Sequence, residues 1–561
     1  MPSLFTRRSA CTAGLLLCSS TARVPCQSTP DLILTGGRIF TADSTRPWIE
    51  AIAIGGDRIV AVGTTAEVSR LAGPRTRRIT LDGRVVVPGF NDAHDHVGAA
   101  DFGAFIVTDA SPAPDPAFAT VLDSVRAFVR HKPRGTWLHA AVGPRVFEDP
   151  LVGRAALHMI APHHPVALMS WTGHGLALNS AALTALGVRD DVRDPFGGTY
   201  ERDTRGRLTG VLQDYAQWAA LRGLYSALPH RTLVAHFRQY ARDGAKVGIT
   251  SVQDMNGYLD PATTVRVLRE AKLDMRFHVI PYPMTDATGL RGAEWRGIDR
   301  HPSPLTVISG VKWILDGTPI ERNALMRMPY ADRPGQYGHL QFPIDTVRAI
   351  LAHALETREP LALHVVGDSA ARLVIALMQA LAPDSTWRPL RVRIEHGDGV
   401  GGDLLPIVRR LGIVIVLNPT HFAFPPKMLE ARFGDMPPEF QNARSLLARS
   451  LLAAGIPIAI GSDGPRNPFV NIMLASTNPN NPSDAITREQ AVTAYTRGSA
   501  YAEFEERDKG TLAVGMLADL AVLSQDIFTA AAAALPGTTS VLTLVGGKIV
   551  HDALGARTSV H

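Results

Sequence analysis

Leu361-Ala362-Leu363-His364-Val365, a stretch of period 3.6 over 368–381, Arg391-Val392-Arg393-Ile394-Glu395, a second such stretch over 403–410, and Ile413-Val414-Ile415-Val416-Leu417 read as strand, helix, strand, helix, strand. Short apolar runs separated by amphipathic helices are what a parallel sheet covered on both faces requires. The same unit recurs outward from this stretch. Upstream lie Val311-Lys312-Trp313-Ile314-Leu315, Arg276-Phe277-His278-Val279-Ile280 and Ile249-Thr250-Ser251-Val252. Downstream lies Ile456-Pro457-Ile458-Ala459-Ile460, followed by a helix that Thr487 and Gln490 open as a capping box. With the stretch after Pro88 the strands number eight, which predicts an α/β fold of the (β/α)8 TIM-barrel type with its site at the C-terminal ends of the strands. An open doubly wound sheet would carry a glycine-rich phosphate turn after an early strand, and the sequence has none.

Two further regions flank or interrupt the repeat. Residues 31–88 alternate in β fashion, and so does the stretch 506–555, where Gly546-Gly547 splits two strands as a hairpin turn does. Neither end has enough strands to bury a core alone, so the two are expected to pair into one composite β-sandwich around a barrel spanning 89–505. Residues 100–240 do not fit the count. They read as an inserted subdomain after the first barrel strand, with strands at Trp137–Val142 and Pro165–Trp171. An insertion there emerges on the catalytic face and can shape a substrate pocket.

Of 561 residues 45% are hydrophobic and 19% charged, which describes a globular chain with ample core. A net charge of +5 over this length is no footprint of a nucleic-acid or membrane partner. The three cysteines, Cys11, Cys18 and Cys26, exclude a disulfide framework, thiolate metal sites and a cysteine nucleophile from the body of the chain. Arg7-Arg8, the apolar run Ala10 to Cys18 and Ser20-Thr21-Ala22 have the form of a signal peptide over residues 1–22. The paired arginines leave twin-arginine export open. The mature chain is therefore expected in the periplasm or outside the cell, without stable membrane insertion. A homodimer is left open.

The chemistry concentrates in Pro88-Gly89-Phe90-Asn91-Asp92-Ala93-His94-Asp95-His96. Two residues apart on a strand, His94 and His96 face one side and can reach one metal. His364 within the fifth strand, His396 just past the sixth and Asp463 just past the eighth are ligand types at or near the same rim. Lys312, early in an apolar fourth strand, costs free energy unless it is paired, neutral or modified. A salt bridge to Glu395 or Asp316 is the bland reading of that lysine.

These residues, with Trp171-Thr172-Gly173-His174-Gly175 and Asn179 to Leu183, Val311 to Gly317, Leu363 to Asp368, Arg393-Ile394-Glu395-His396, Gly461-Ser462-Asp463 and Gly510 to Asp519, resemble the metal-dependent amidohydrolase superfamily. The likeness is to its amidohydrolase-3 group, which includes N-substituted formamide deformylases and YtcJ-like proteins. It implies two divalent ions, usually zinc, although manganese, iron or cobalt suits the same nitrogen and oxygen ligands. His94, His96 and Asp463 would hold the more buried ion, His364 and His396 the more exposed one. Lys312 would bridge both as an N-carbamate, which turns a repelling cation into a two-oxygen ligand. Asp463 would also move the proton of a metal-activated water, and His174 would contact the substrate carbonyl. The implied reaction is hydrolysis of a non-peptide C–N bond in a small amide-like substrate. An ester, lactone or cyclic amidine on the same site is the enzymatic alternative, and an exported binding or regulatory protein the non-catalytic one. Thr172 stands where the group commonly has aspartate, and Asn91 where an aliphatic residue is usual.

Overall fold

The computed structural model describes residues 29–107, 114–434 and 447–554; the expected signal peptide lies outside them. Eight strands carry the repeat: β1 Phe90–Asp95, β2 Ile249–Asn256, β3 Arg276–Pro281, β4 Val311–Ile314, β5 Leu361–Val365, β6 Arg393–His396, β7 Val414–Leu417 and β8 Ile458–Ile460. Every ladder between them is parallel, with Ser251 opposite Asn91, Gln253 opposite His278, His364 opposite Ile314 and His396 opposite Val365. The fourth strand arrives in two pieces. Thr306–Ile308 pairs with β3, the chain turns at Gly310 (φ +77°), and β4 then pairs with β5. Two parallel sheets of four and five strands result. They approach again where the Asp463 N–H donates to the His94 carbonyl (2.9 Å) and the Ser462 N–H to Asp92 Oδ1 (2.8 Å).

The strands are apolar because both of their faces are covered: all eight side chains of β2 and all five of β5 are buried. Polar positions within them are therefore conspicuous, and they gather toward the C-terminal ends.

Strands from the two chain ends share one sheet. Val85–Pro88 runs antiparallel to Leu520–Leu523, placing Val86 opposite Val522, in a six-stranded sheet that also holds 38–40, 48–49, 540–545 and 548–552. Leu32, Leu34, Ile52 and Ile54 of a second, four-stranded sheet share an apolar cluster with Ile39, Val86, Leu520, Val522 and Leu542 of the first.

The segment after β1 builds a six-stranded sheet from 104–105, 138–142, 166–170, 176–178, 208–214 and 198–202. It has an apolar core of its own around Val121, Val125, Leu138, Val166 and Leu168. Residue 240, the expected end of the inserted subdomain, falls inside the helix His230–Lys246. Leu233, Phe237 and Tyr240 of that helix pack into the main core with the parallel strands. No helix among the described residues is long and apolar enough to cross a membrane.

Candidate metal centre

The expected ligands converge. The His94 and His96 rings lie 5.3 Å apart, His94 and His396 5.1 Å, and His364 and His396 4.5 Å between centroids. Asp463 Oδ1 stands 3.8 Å from His94 Nε2 and 3.6 Å from His96 Nε2, while its Oδ2 is 3.8 Å from His396 Nδ1. Ligand atoms of His94, His396 and Asp463 all lie within 4.8 Å of one another. His396 (φ +71°) and Asp463 (φ +40°) both adopt left-handed backbone that side chains rarely take, and strain of this kind concentrates at functional sites.

Three of the four imidazoles are aimed by their Nδ1 atoms. His94 Nδ1 bonds Glu395 Oε2 at 2.6 Å, His96 Nδ1 donates to the Met255 carbonyl at 2.8 Å, and His396 Nδ1 bonds Asn418 Oδ1 at 2.8 Å. The Nε2 atoms are left for the pocket, the arrangement by which partners orient metal-binding histidines. His364 differs: its Nε2 faces the Gly317 carbonyl at 3.5 Å, leaving Nδ1.

The electrostatics suit a cation. Burial pushes His96 down to about 4, and the neighbouring charges of His94 and Lys312 add to it. Burial, with imidazole and Lys312 neighbours, also holds His364 and His396 well below the usual histidine range. Burial disfavours the Asp463 carboxylate, but the imidazoles and Lys312 outweigh it and keep its pKa low. Neutral imidazoles beside a carboxylate are the protonation states that ligate. Lys312, 2% exposed, is pushed down to about 8 by burial, against the pull of Glu395 and Asp463. Its charge also acts on His96, His364 and His396.

His174 comes from the inserted sheet, between strands 166–170 and 176–178. It is buried, its ring 5.3 Å from that of His364 and its Nδ1 2.8 Å from Asp214 Oδ1. Burial opposes a charge on it, yet the bond to Asp214 raises it above the usual histidine range. Sequence reasoning missed a mirror-image pair: His421, 3.2 Å from Asp398, stacks on His396 with ring centroids 5.2 Å apart. Asn418 and Glu321 were missed as well. A polar residue directly after an apolar strand was the available signal for Asn418; Glu321 sits in an irregular loop and gave none.

Histidines and a carboxylate converging at the C-terminal ends of parallel α/β strands form a candidate metal centre of the kind metal-dependent hydrolases use. The chain belongs to the amidohydrolase family, whose model matches residues 77–551. It is 28% identical over 544 residues to Protein LONG AFTER FAR-RED 3 of Arabidopsis thaliana, covering 93% of this chain and 91% of that one. It is 25% identical over 554 residues to the N-substituted formamide deformylase of Arthrobacter pascens, covering 94% and 99%. Among solved structures, a metal-dependent hydrolase from Pyrococcus horikoshii OT3 superposes with a TM-score of 0.68 at 20% identity, covering 90% of this chain and 99% of that one, a likeness of fold.

Proposed function

We propose that this protein hydrolyses a non-peptide C–N bond of a small amide-like substrate with two divalent metal ions, zinc by preference. The observation that carries the reading is the convergence of His94, His96, His364, His396 and Asp463 at one mouth of the parallel strands, where burial favours neutral His96, His364 and His396 and the surrounding charges favour an ionised Asp463. The donor set fits: nitrogen and oxygen ligands, most with an outer partner, around a lysine whose lowered pKa leaves it reactive toward carbon dioxide. His94, His96 and Asp463 would hold one ion, His364 and His396 the other, and Lys312 as its N-carbamate both. The formamide deformylase among the relatives supports the choice of a C–N bond. We also read the eight strands as a closed (β/α)8 barrel, the paired end sheets as one composite sandwich, and the leader as a signal for export.

Bound metal supplies an acidified water and a polarised carbonyl. Asp463 accepts the proton of the attacking water at its carboxylate and delivers it to the leaving nitrogen, so the carbon gains an oxygen as the C–N bond breaks. His174 offers Nε2 to the carbonyl oxygen, its ring steadied through Nδ1 by Asp214.

Metal analysis of the mature protein, followed by a panel of N-formyl and N-acyl amides, esters and lactones with and without added zinc or manganese, tests this reading. Two ions per chain and metal-dependent amide cleavage are expected. Cleavage of esters or lactones alone would move the bond assignment, and bound metal without turnover on any of them would replace enzyme by binding protein.

A further inference from the structure

Beside the metal centre one carboxylate is held firmly and, among the described residues, forms no ion pair within 4.0 Å. Glu321 Oε1 accepts hydrogen bonds from the Thr172 hydroxyl and from Ser170 Oγ (3.3 Å), and Oε2 accepts the Thr318 hydroxyl. Ser170 and Thr172 belong to the His174 turn, whose Gly173 carbonyl is clamped by Gln217 Nε2 and Trp218 Nε1 at 3.0 Å each. Thr318 follows Gly317, whose carbonyl faces His364. Glu321 therefore bridges the two turns that carry or touch His174 and His364.

Among the described residues the two neighbouring arginines are already committed elsewhere. Arg322 gives Nη1 to Glu148 (2.6 Å) and its Nε and Nη2 to Asp332 (3.0 and 2.7 Å). Arg432 pairs with Asp332 and Glu148 and donates Nε to the Ile320 carbonyl. Among the described residues no lysine, arginine or histidine lies within 4.0 Å of the Glu321 carboxylate. The Thr172 and Thr318 hydroxyls fix the carboxylate, the Ser170 hydroxyl is shared between it and Thr172 Oγ1 at 2.6 Å, and none of them carries a charge. Among the described residues the stronger, charge-assisted partner is missing, and a bound cation can supply it.

We propose that Glu321 is a specificity residue that receives a cationic substituent of the substrate, an ammonium or amidinium group, while the amide carbonyl lies at the metal centre. This rests on the hydrolase reading above and narrows its substrate class to cationic amides.

The test uses the mature, metal-loaded protein with amides that differ only in a terminal ammonium, hydroxyl or carboxylate. The corresponding methyl ketones, which cannot be hydrolysed, are titrated calorimetrically. The ammonium member should be favoured over the hydroxyl member about tenfold or more in kcat/KM and in Kd, the size of one charge-assisted hydrogen bond, with the carboxylate member last. Glu321→Gln should erase most of that preference, chiefly through KM. Thr172→Asp added to Glu321→Gln should restore it, because the carboxylate returns across the same contact. If Glu321→Gln lowers all three members equally, Glu321 only clamps the two turns and the assignment falls. Equal binding of the three ketones by the unaltered protein also overturns it. Ketone binding ranked by charge without turnover of any amide would keep the cation site and remove the hydrolase reading instead.

Discussion

Glu395 has two neighbours that want its charge. Its Oε2 bonds His94 Nδ1, and Arg393 reaches both of its oxygens at 2.8 and 3.2 Å. Burial would raise this carboxyl, but Arg393, His94 and Lys312 bring it down to about 2, so it is an anion near neutral pH. An anion behind His94 fixes the ring and makes its far nitrogen a stronger donor to metal. Glu395→Gln keeps the shape and removes the charge. It should weaken metal binding about 10- to 100-fold, read by competition with a chelator, while the far-ultraviolet spectrum stays that of the parent. Lys312 carries a different expectation. If it spans two ions as a carbamate, Lys312→Ala should hold fewer metals per chain than the parent, and reconstitution of the parent with 13C-bicarbonate should give a carbamate resonance that the variant lacks. Equal metal content in both proteins would show that the lysine is no ligand.

At the level of strands, the site depends on how closely β8 approaches β1. Gly461 has no side chain for a spatial reason: a Cβ there would lie 2.4 Å from His94 Cβ and 2.5 Å from the His94 nitrogen. Gly461→Ala must push β8 off β1, straining the Asp463 N–H bond to the His94 carbonyl and parting two ligands. The expected cost is about 1–3 kcal/mol of stability, read from urea midpoints, with metal content falling alongside. Stability lost with metal retained would mean that the two strands can separate without disturbing the centre. What the sequence disclosed follows the same lines. His94 and His96 were legible because a two-residue period alone puts them on one side. His364, His396 and Asp463 were legible because each sits in or just beyond an apolar strand. Their supports were hidden, because the bonds of His396 to Asn418, His174 to Asp214 and Thr172 to Glu321 cross 22, 40 and 149 residues of chain. No local pattern encodes such pairs. Of the fourth strand only 311–315 was legible; its first piece, Thr306–Ile308, was missed, being three residues long and set off by Ser309-Gly310.

On the scale of the molecule, the end opposite the metal centre is tied by a second buried polar cluster. Glu503 accepts from Lys509 Nζ (2.8 Å) and from the Asn91 side-chain amide (2.5 Å), and bonds His278 Nδ1 (2.9 Å). It thereby joins β1 and β3 to the segment that leads into the C-terminal strands, and through them to the sheet shared by both chain ends. Burial opposes its charge, yet Lys509 and His278 outweigh burial and bring Glu503 down to about 2 from an ordinary 4.5. A carboxyl whose pKa is depressed by folding stabilises the native state above its unfolded value. The contribution is therefore complete above pH 4.5, declines as pH falls from 4.5 toward 2, and is gone once both states are protonated. The shift corresponds to about 3 kcal/mol. Glu503→Gln should be less stable than the parent near pH 7 by about that amount, with the gap closing between pH 4.5 and 2. Because Glu395 titrates alike in both proteins, the difference between their urea midpoints isolates Glu503. A gap that stayed constant down to pH 2 would show that the cluster holds the ends together by shape and hydrogen bonding rather than by charge.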